Sequence, residues 1–117
     1  MLMTNFSFEV EQVRGVLVLR FTVEALIEDN FAGISDELHT LIHDLRPRRV
    51  VVDLGNVEEV DDLGLAMLQS FHDGIEELGG TAILCRMTSS VSRAMAESGL
   101  HHMLHIRSSF NEAIWTF

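Results

Sequence analysis

The sequence contains no lysine, so all eight of its basic residues are arginines. That absence excludes several chemistries at once. A Walker A phosphate loop, a Schiff-base enzyme and a phospho-receiver domain each depend on a lysine. Cysteine is nearly as scarce. Cys85 stands alone, so no disulfide can form within the chain, as suits a reducing compartment. It sits in the apolar run Thr81-Ala82-Ile83-Leu84-Cys85, the setting of a core residue rather than a nucleophile. Pro47 is the only proline, and no linker, repeat or low-complexity tract interrupts the chain. No apolar run approaches the ~20 residues needed to cross a bilayer. The opening Met1-Leu2-Met3-Thr4-Asn5 has neither the basic stretch nor the apolar segment of a signal peptide, which points to a cytoplasmic protein.

What is present describes one domain over residues 1–117. Hydrophobic residues make up 47%, enough for an ordinary core without disulfides or metal. Disorder is excluded on the same ground. The formal net charge of −10 keeps a small protein soluble. It also repels nucleic acid and anionic membranes and favours a basic partner surface.

Hydrophobic spacing predicts the elements. Phe6, Phe8 and Val10 alternate with Ser7, Glu9 and Glu11, a half-buried strand. Arg14-Gly15 breaks it and Val16 to Phe21 resumes it, which predicts a hairpin. Phe31, Ile34, Leu38, Leu41, Ile42 and Leu45 form a helical stripe, with Asp29 or Asn30 as cap and Pro47 as stop. Val50-Val51-Val52 reads as a parallel strand buried on both faces, followed by a turn at Gly55-Asn56. Leu65, Leu68, Phe71, Ile75 and Leu78 mark a second helix, capped by Asp61 or Asp62 and ended by Gly79-Gly80. Thr81 to Met87 is a further strand. A third helix carries Val91, Ala94 and Met95, with Ser89 or Ser90 as cap and Gly99 as end. His105-Ile106 is a short strand, and Ser109 with Glu112 fits a capping box for a last helix through Phe110, Ala113, Ile114 and Phe117. The order β-β-α-β-α-β-α-β-α predicts an α/β domain: a mixed, mostly parallel sheet with an N-terminal hairpin and about four helices packed on it.

The densest stretch runs from Val51-Val52-Asp53-Leu54-Gly55 to Asp61-Asp62-Leu63-Gly64-Leu65. A buried strand ending in Asp-Leu, about seven residues, then Asp-x-x-Gly-Leu opening a helix resembles the signature of the STAS family of anti-sigma factor antagonists. Glu77-Leu78-Gly79-Gly80 and the run from Val91 to Gly99-Leu100 are similar to the family's helix end and third helix. The resemblance covers nearly the whole chain and is strongest from Val50 to Leu100. It implies a non-enzymatic module of bacterial transcriptional regulation that binds a serine-kinase-type anti-sigma factor or other STAS proteins, with no cofactor and no metal. It also implies an alternative, a scaffold subunit of a stress-signalling assembly or of a lipid-transport ATPase.

One departure separates this chain from the family pattern. Asp61 and Gly64 match the family's aspartate and glycine. Asp62 and Leu63 stand where phosphorylatable hydroxyls belong, so the usual off-switch is expected to be missing. A phosphate at a helix N-terminus adds about −2 charge to a docking surface. Asp62 either mimics that state in part or simply caps the helix. Leu63 either adds apolar contact area or belongs to the core. The expected partner surface comprises Asp61, Asp62, Leu63, Gly64 and Leu65, the exposed face of the second helix with Gln69, His72, Asp73 and Glu76, and the loop Thr88–Ser90.

The remaining polar clusters read as ordinary surface. Asp53 at a strand end invites comparison with a phosphoacceptor, but the accompanying acidic pair and lysine are missing. No Gly-rich loop supports nucleotide binding at Asp53, Asp61 or Asp62. His39, His43, His72, His101, His102 and His105 lack the sharp spacing of a zinc site and read as loop or surface residues. Arg46, Arg48 and Arg49 form the only basic cluster and read as solvation of a strand entrance.

Overall fold

The computed structural model describes residues 2–4 and 7–117, with side chains from Ser7 onward. Strands β1 (Leu2–Thr4), β2 (Phe8–Val13), β3 (Val16–Phe21), β4 (Ala25–Leu26), β5 (Arg49–Asp53), β6 (Glu59–Val60), β7 (Thr81–Cys85) and β8 (His105–Arg107) alternate with helices. The helices are α1 (Glu28–Leu45), α2 (Asp62–Glu77), α3 (Ser89–Ser98) and α4 (Phe110–Thr116), with a 3-10 turn at Leu100–His102. Six strands form one sheet in the order β1-β2-β3-β5-β7-β8. The first three are antiparallel, and β3, β5, β7 and β8 run parallel. The mixed, mostly parallel sheet with four helices is therefore the observed architecture.

Side-chain alternation explains the two layers. Leu17, Leu19, Val50, Val52, Ala82 and Leu84 point to the face covered by α1, α2 and α3. Val16, Val18, Val51, Ile83 and Cys85 point to the opposite face, where Ala113 and Ile114 of α4 close a smaller core. Central strands buried on both faces read as continuous apolar runs, the pattern of Val50-Val51-Val52. The hairpin turns on Arg14 (φ 54) and Gly15 (φ 78), both left-handed, as a tight turn between right-twisted strands requires.

Several boundaries differ from the sequence reading. The helix α1 begins at Glu28, with Ile27 in the cap position, ahead of Asp29 and Asn30. Asn30 instead reaches back, accepting from the Ile27 N–H at 3.1 Å and donating to the Ala25 carbonyl at 2.8 Å. Thr88 rather than Ser89 or Ser90 caps α3. Its hydroxyl accepts from the Val91 N–H at 3.5 Å and donates to the Val57 carbonyl at 2.8 Å, so it joins two loops as well. The strand β7 stops at Cys85 because Arg86 turns left-handed (φ 58). The strand β1 and the short parallel pair β4–β6 were not anticipated; each is too brief to show a period. The expected face position of Phe6 lies outside the described residues.

Candidate functional site: the N-terminal shoulder of helix α2

The site is built where β4 and β6 deliver the chain to the start of α2. Asp61 occupies the cap position. Its Oδ1 accepts from the Gly64 N–H at 2.9 Å and its Oδ2 from the Glu28 N–H at 2.8 Å. One carboxylate thus satisfies orphan donors at the first turns of both α1 and α2. These bonds, led by the one from Gly64, hold its carboxyl below the ordinary aspartate range.

Gly64 explains how close the two segments come. A side chain there would run into the Leu26 carbonyl oxygen and lie 2.8 Å from Val60 Cγ2. Asp61 and Gly64 are therefore structural, holding α2 against β4 and β6.

With Asp61 engaged, Asp62 and Leu63 turn outward. Asp62 is exposed, and Leu63 keeps 38% of its surface in contact with solvent. Ala66 is exposed one turn along. A shallow, open groove separates this shoulder from α3, lined by Val60, Asp61, Asp62, Leu65, Ala94, Glu97 and Ser98. Its ionisable lining is wholly acidic. Ser89 and Ser90 are exposed at the start of α3.

Not every expected contact residue reaches the surface. Gly64 is buried, and Leu65 is only 6% exposed because it begins the apolar stripe that packs α2 on the sheet. His72, expected on the exposed face of the second helix, is only 4% exposed. The reason is tertiary: β8 brings His105 over it, with the two rings 5.5 Å apart. Gln69 is half-buried, while Asp73 and Glu76 are exposed as expected.

Asp53 is also accounted for. It is 1% exposed and bonded to Arg20 Nε at 3.0 Å, Arg86 at 3.1 Å and the Gly55 N–H at 2.9 Å. Burial pushes the neighbouring Cys85 thiol up to about 12, the Asp53 charge adding to it. Arg46, Arg48 and Arg49 lie exposed at the opposite end of β5. Among the described residues, no helix is long and apolar enough to cross a membrane.

Comparison with known proteins agrees with this architecture. The family model described as "STAS domain" matches residues 7–113. An anti-sigma F factor antagonist of Paenibacillus polymyxa is 26% identical over 102 residues, covering 87% of this chain and 86% of that protein. An anti-sigma-factor antagonist (STAS) domain protein from Planctomyces limnophilus superposes with a TM-score of 0.83 at 20% identity, covering 93% of this chain and 96% of that one. An anti-sigma factor antagonist from Mycobacterium paratuberculosis gives 0.82 at 18% identity, with 94% and 92% covered. A half-buried aspartate cap, a glycine pressed on a neighbouring strand and an outward-facing first turn of α2 accompany that match, and the chain belongs to the STAS domain family.

Proposed function

We propose that this chain is a protein-binding regulatory module whose partner is a serine-kinase-type anti-sigma factor, engaged through the shoulder formed by Asp62, Leu63, Ala66 and the start of α3. The observation that carries the reading is Leu63. A leucine left 38% exposed in the first turn of α2, beside a free carboxylate, offers an apolar anchor with a polar rim. The acidic groove next to it suits a basic partner surface.

The same segment supports a module that is not switched off by phosphorylation. Between positions 61 and 70 the only hydroxyl is Ser70, in the third turn of the helix. Asp62 supplies one fixed negative charge instead, and because Asp61 does the capping, the Asp62 carboxylate is not needed for it.

Affinity capture from native lysate with wild type and Leu63→Lys tests both parts. A kinase-type anti-sigma factor recovered by the wild type and lost by the variant is expected. Mass spectrometry after incubation with that kinase and ATP is expected to show no phosphate on residues 61–70. Capture of a transport ATPase or of other STAS proteins in its place would make the chain a structural subunit. Recovery unchanged by Leu63→Lys would put the interface elsewhere.

A further inference from the structure

His72, Glu76 and His105 meet at the other end of α2 from the partner shoulder. His72 and Glu76 are one helical turn apart on α2, and His105 opens β8. Their three donor atoms lie within 4.8 Å of one another. Glu76 Oε1 stands 3.5 Å from His72 Nε2 and 3.2 Å from His105 Nε2.

The buried histidine points to a ligand. Its Nε2, in a residue only 4% exposed, faces this cluster and makes no hydrogen bond among the described residues, Glu76 Oε1 at 3.5 Å being its nearest charged neighbour in the cluster. A buried polar atom left so is costly unless something fills its valence. Its other nitrogen, Nδ1, lies 3.1 Å from Asp73 Oδ1. Asp73 can only accept there, so in the neutral ring the proton is on Nδ1 and the Nε2 lone pair is directed into the cluster. Carboxylates hold metal-binding histidines in this way.

We propose that His72 Nε2, Glu76 Oε1 and His105 Nε2 bind one divalent transition-metal ion, Zn²⁺ by the chemistry of the donors. Two imidazoles and a carboxylate suit zinc better than the oxygen-seeking magnesium or calcium. A tetrahedral zinc with ligands at about 2.0–2.2 Å spaces its donor atoms roughly 3.3–3.5 Å apart. Of the two separations to Glu76, the 3.5 Å from His72 falls within that spacing and the 3.2 Å from His105 lies just below it. Rotation of the exposed His105 side chain brings the third into line, and water completes the shell. The ion fastens the edge strand β8 to α2, adding to the contact between the His72 and His105 rings.

Calorimetric titration of the metal-free chain with zinc chloride tests the site. One equivalent is expected to bind and to raise the thermal midpoint, and EDTA is expected to reverse the rise. The variants His105→Ala and Glu76→Gln, both at exposed positions, are expected to weaken binding at least ~10-fold, the lower bound for disturbing even an outer-shell partner. The pair His101→Ala/His102→Ala, whose exposed rings lie tilted with centroids 3.8 Å apart, is expected to leave it unchanged. Absence of zinc binding, binding indifferent to both His105→Ala and Glu76→Gln, or binding abolished by the His101/His102 pair would overturn the proposal.

Discussion

The carboxylate of Asp61 bonds the N–H of Glu28 at 2.8 Å across 33 residues of chain, while capping its own helix at Gly64. The two first turns are therefore fastened at one point, and this acidic position is a structural joint in the chain. Its folded-state pKa is depressed, so the joint contributes stability above the ordinary aspartate value of 3.8 and loses it as pH falls through the lower folded value. The variant Asp61→Asn is expected to unfold more easily at neutral pH and to lose less of its stability on acidification below about pH 4 than wild type does. Urea midpoints measured from pH 7 to pH 2.5 would check this; parallel curves for the two proteins would refute it.

Two glycines should respond in opposite directions to the same substitution. Gly64→Ala drives a methyl into the Leu26 carbonyl, a backbone atom that cannot step aside, and is expected to cost ~3 kcal/mol. Gly33 lies exposed in the middle of α1 with nothing within 4 Å of an added Cβ. Gly33→Ala is expected to stabilise by about 0.5–1 kcal/mol through helix propensity and unfolded-state entropy. Denaturant midpoints of the two single variants decide both signs.

The parts of this fold that were legible share a physical origin. Val50-Val51-Val52 reads as a central strand because each residue is buried regardless of which face it takes, and the α2 stripe reads as a helix because Leu65, Leu68, Phe71 and Ile75 all meet one sheet. What stayed hidden depends on distant chain. No local pattern says that Glu28 is capped by a residue from the next helix, or that Thr88 is held by Val57. His72 sits at the edge of the α2 stripe, where spacing gives an angle but not what lies over it. The His72–Glu76 spacing was a visible hint, and only the fold places His105 beside it.

Cys85 is expected to be chemically silent in the folded protein. It is fully buried, and with its thiol pushed up to about 12 almost no thiolate exists near neutral pH. A disulfide reagent at pH 8 is expected to titrate no thiol in native buffer and one thiol in denaturant. Prompt reaction without denaturant would show that β7 and α4 open on the timescale of the assay.

Asp53 gives the sharpest test of non-additivity. Its buried carboxylate accepts from Arg20, from Arg86 and from the Gly55 N–H, and the two arginine side chains are 31% and 51% exposed. Either arginine alone still neutralises the charge, so Arg20→Met or Arg86→Met is expected to cost only ~1 kcal/mol, near the value of one part-exposed ion pair. Losing both strands a carboxylate in the sheet with one backbone donor, and breaking a buried pair in that way costs about 3–5 kcal/mol. The double variant should therefore exceed the sum of the singles by at least ~1 kcal/mol, a coupling that urea denaturation of the four proteins in the cycle resolves. A strictly additive result would mean that water, not the second arginine, takes over when the first is removed.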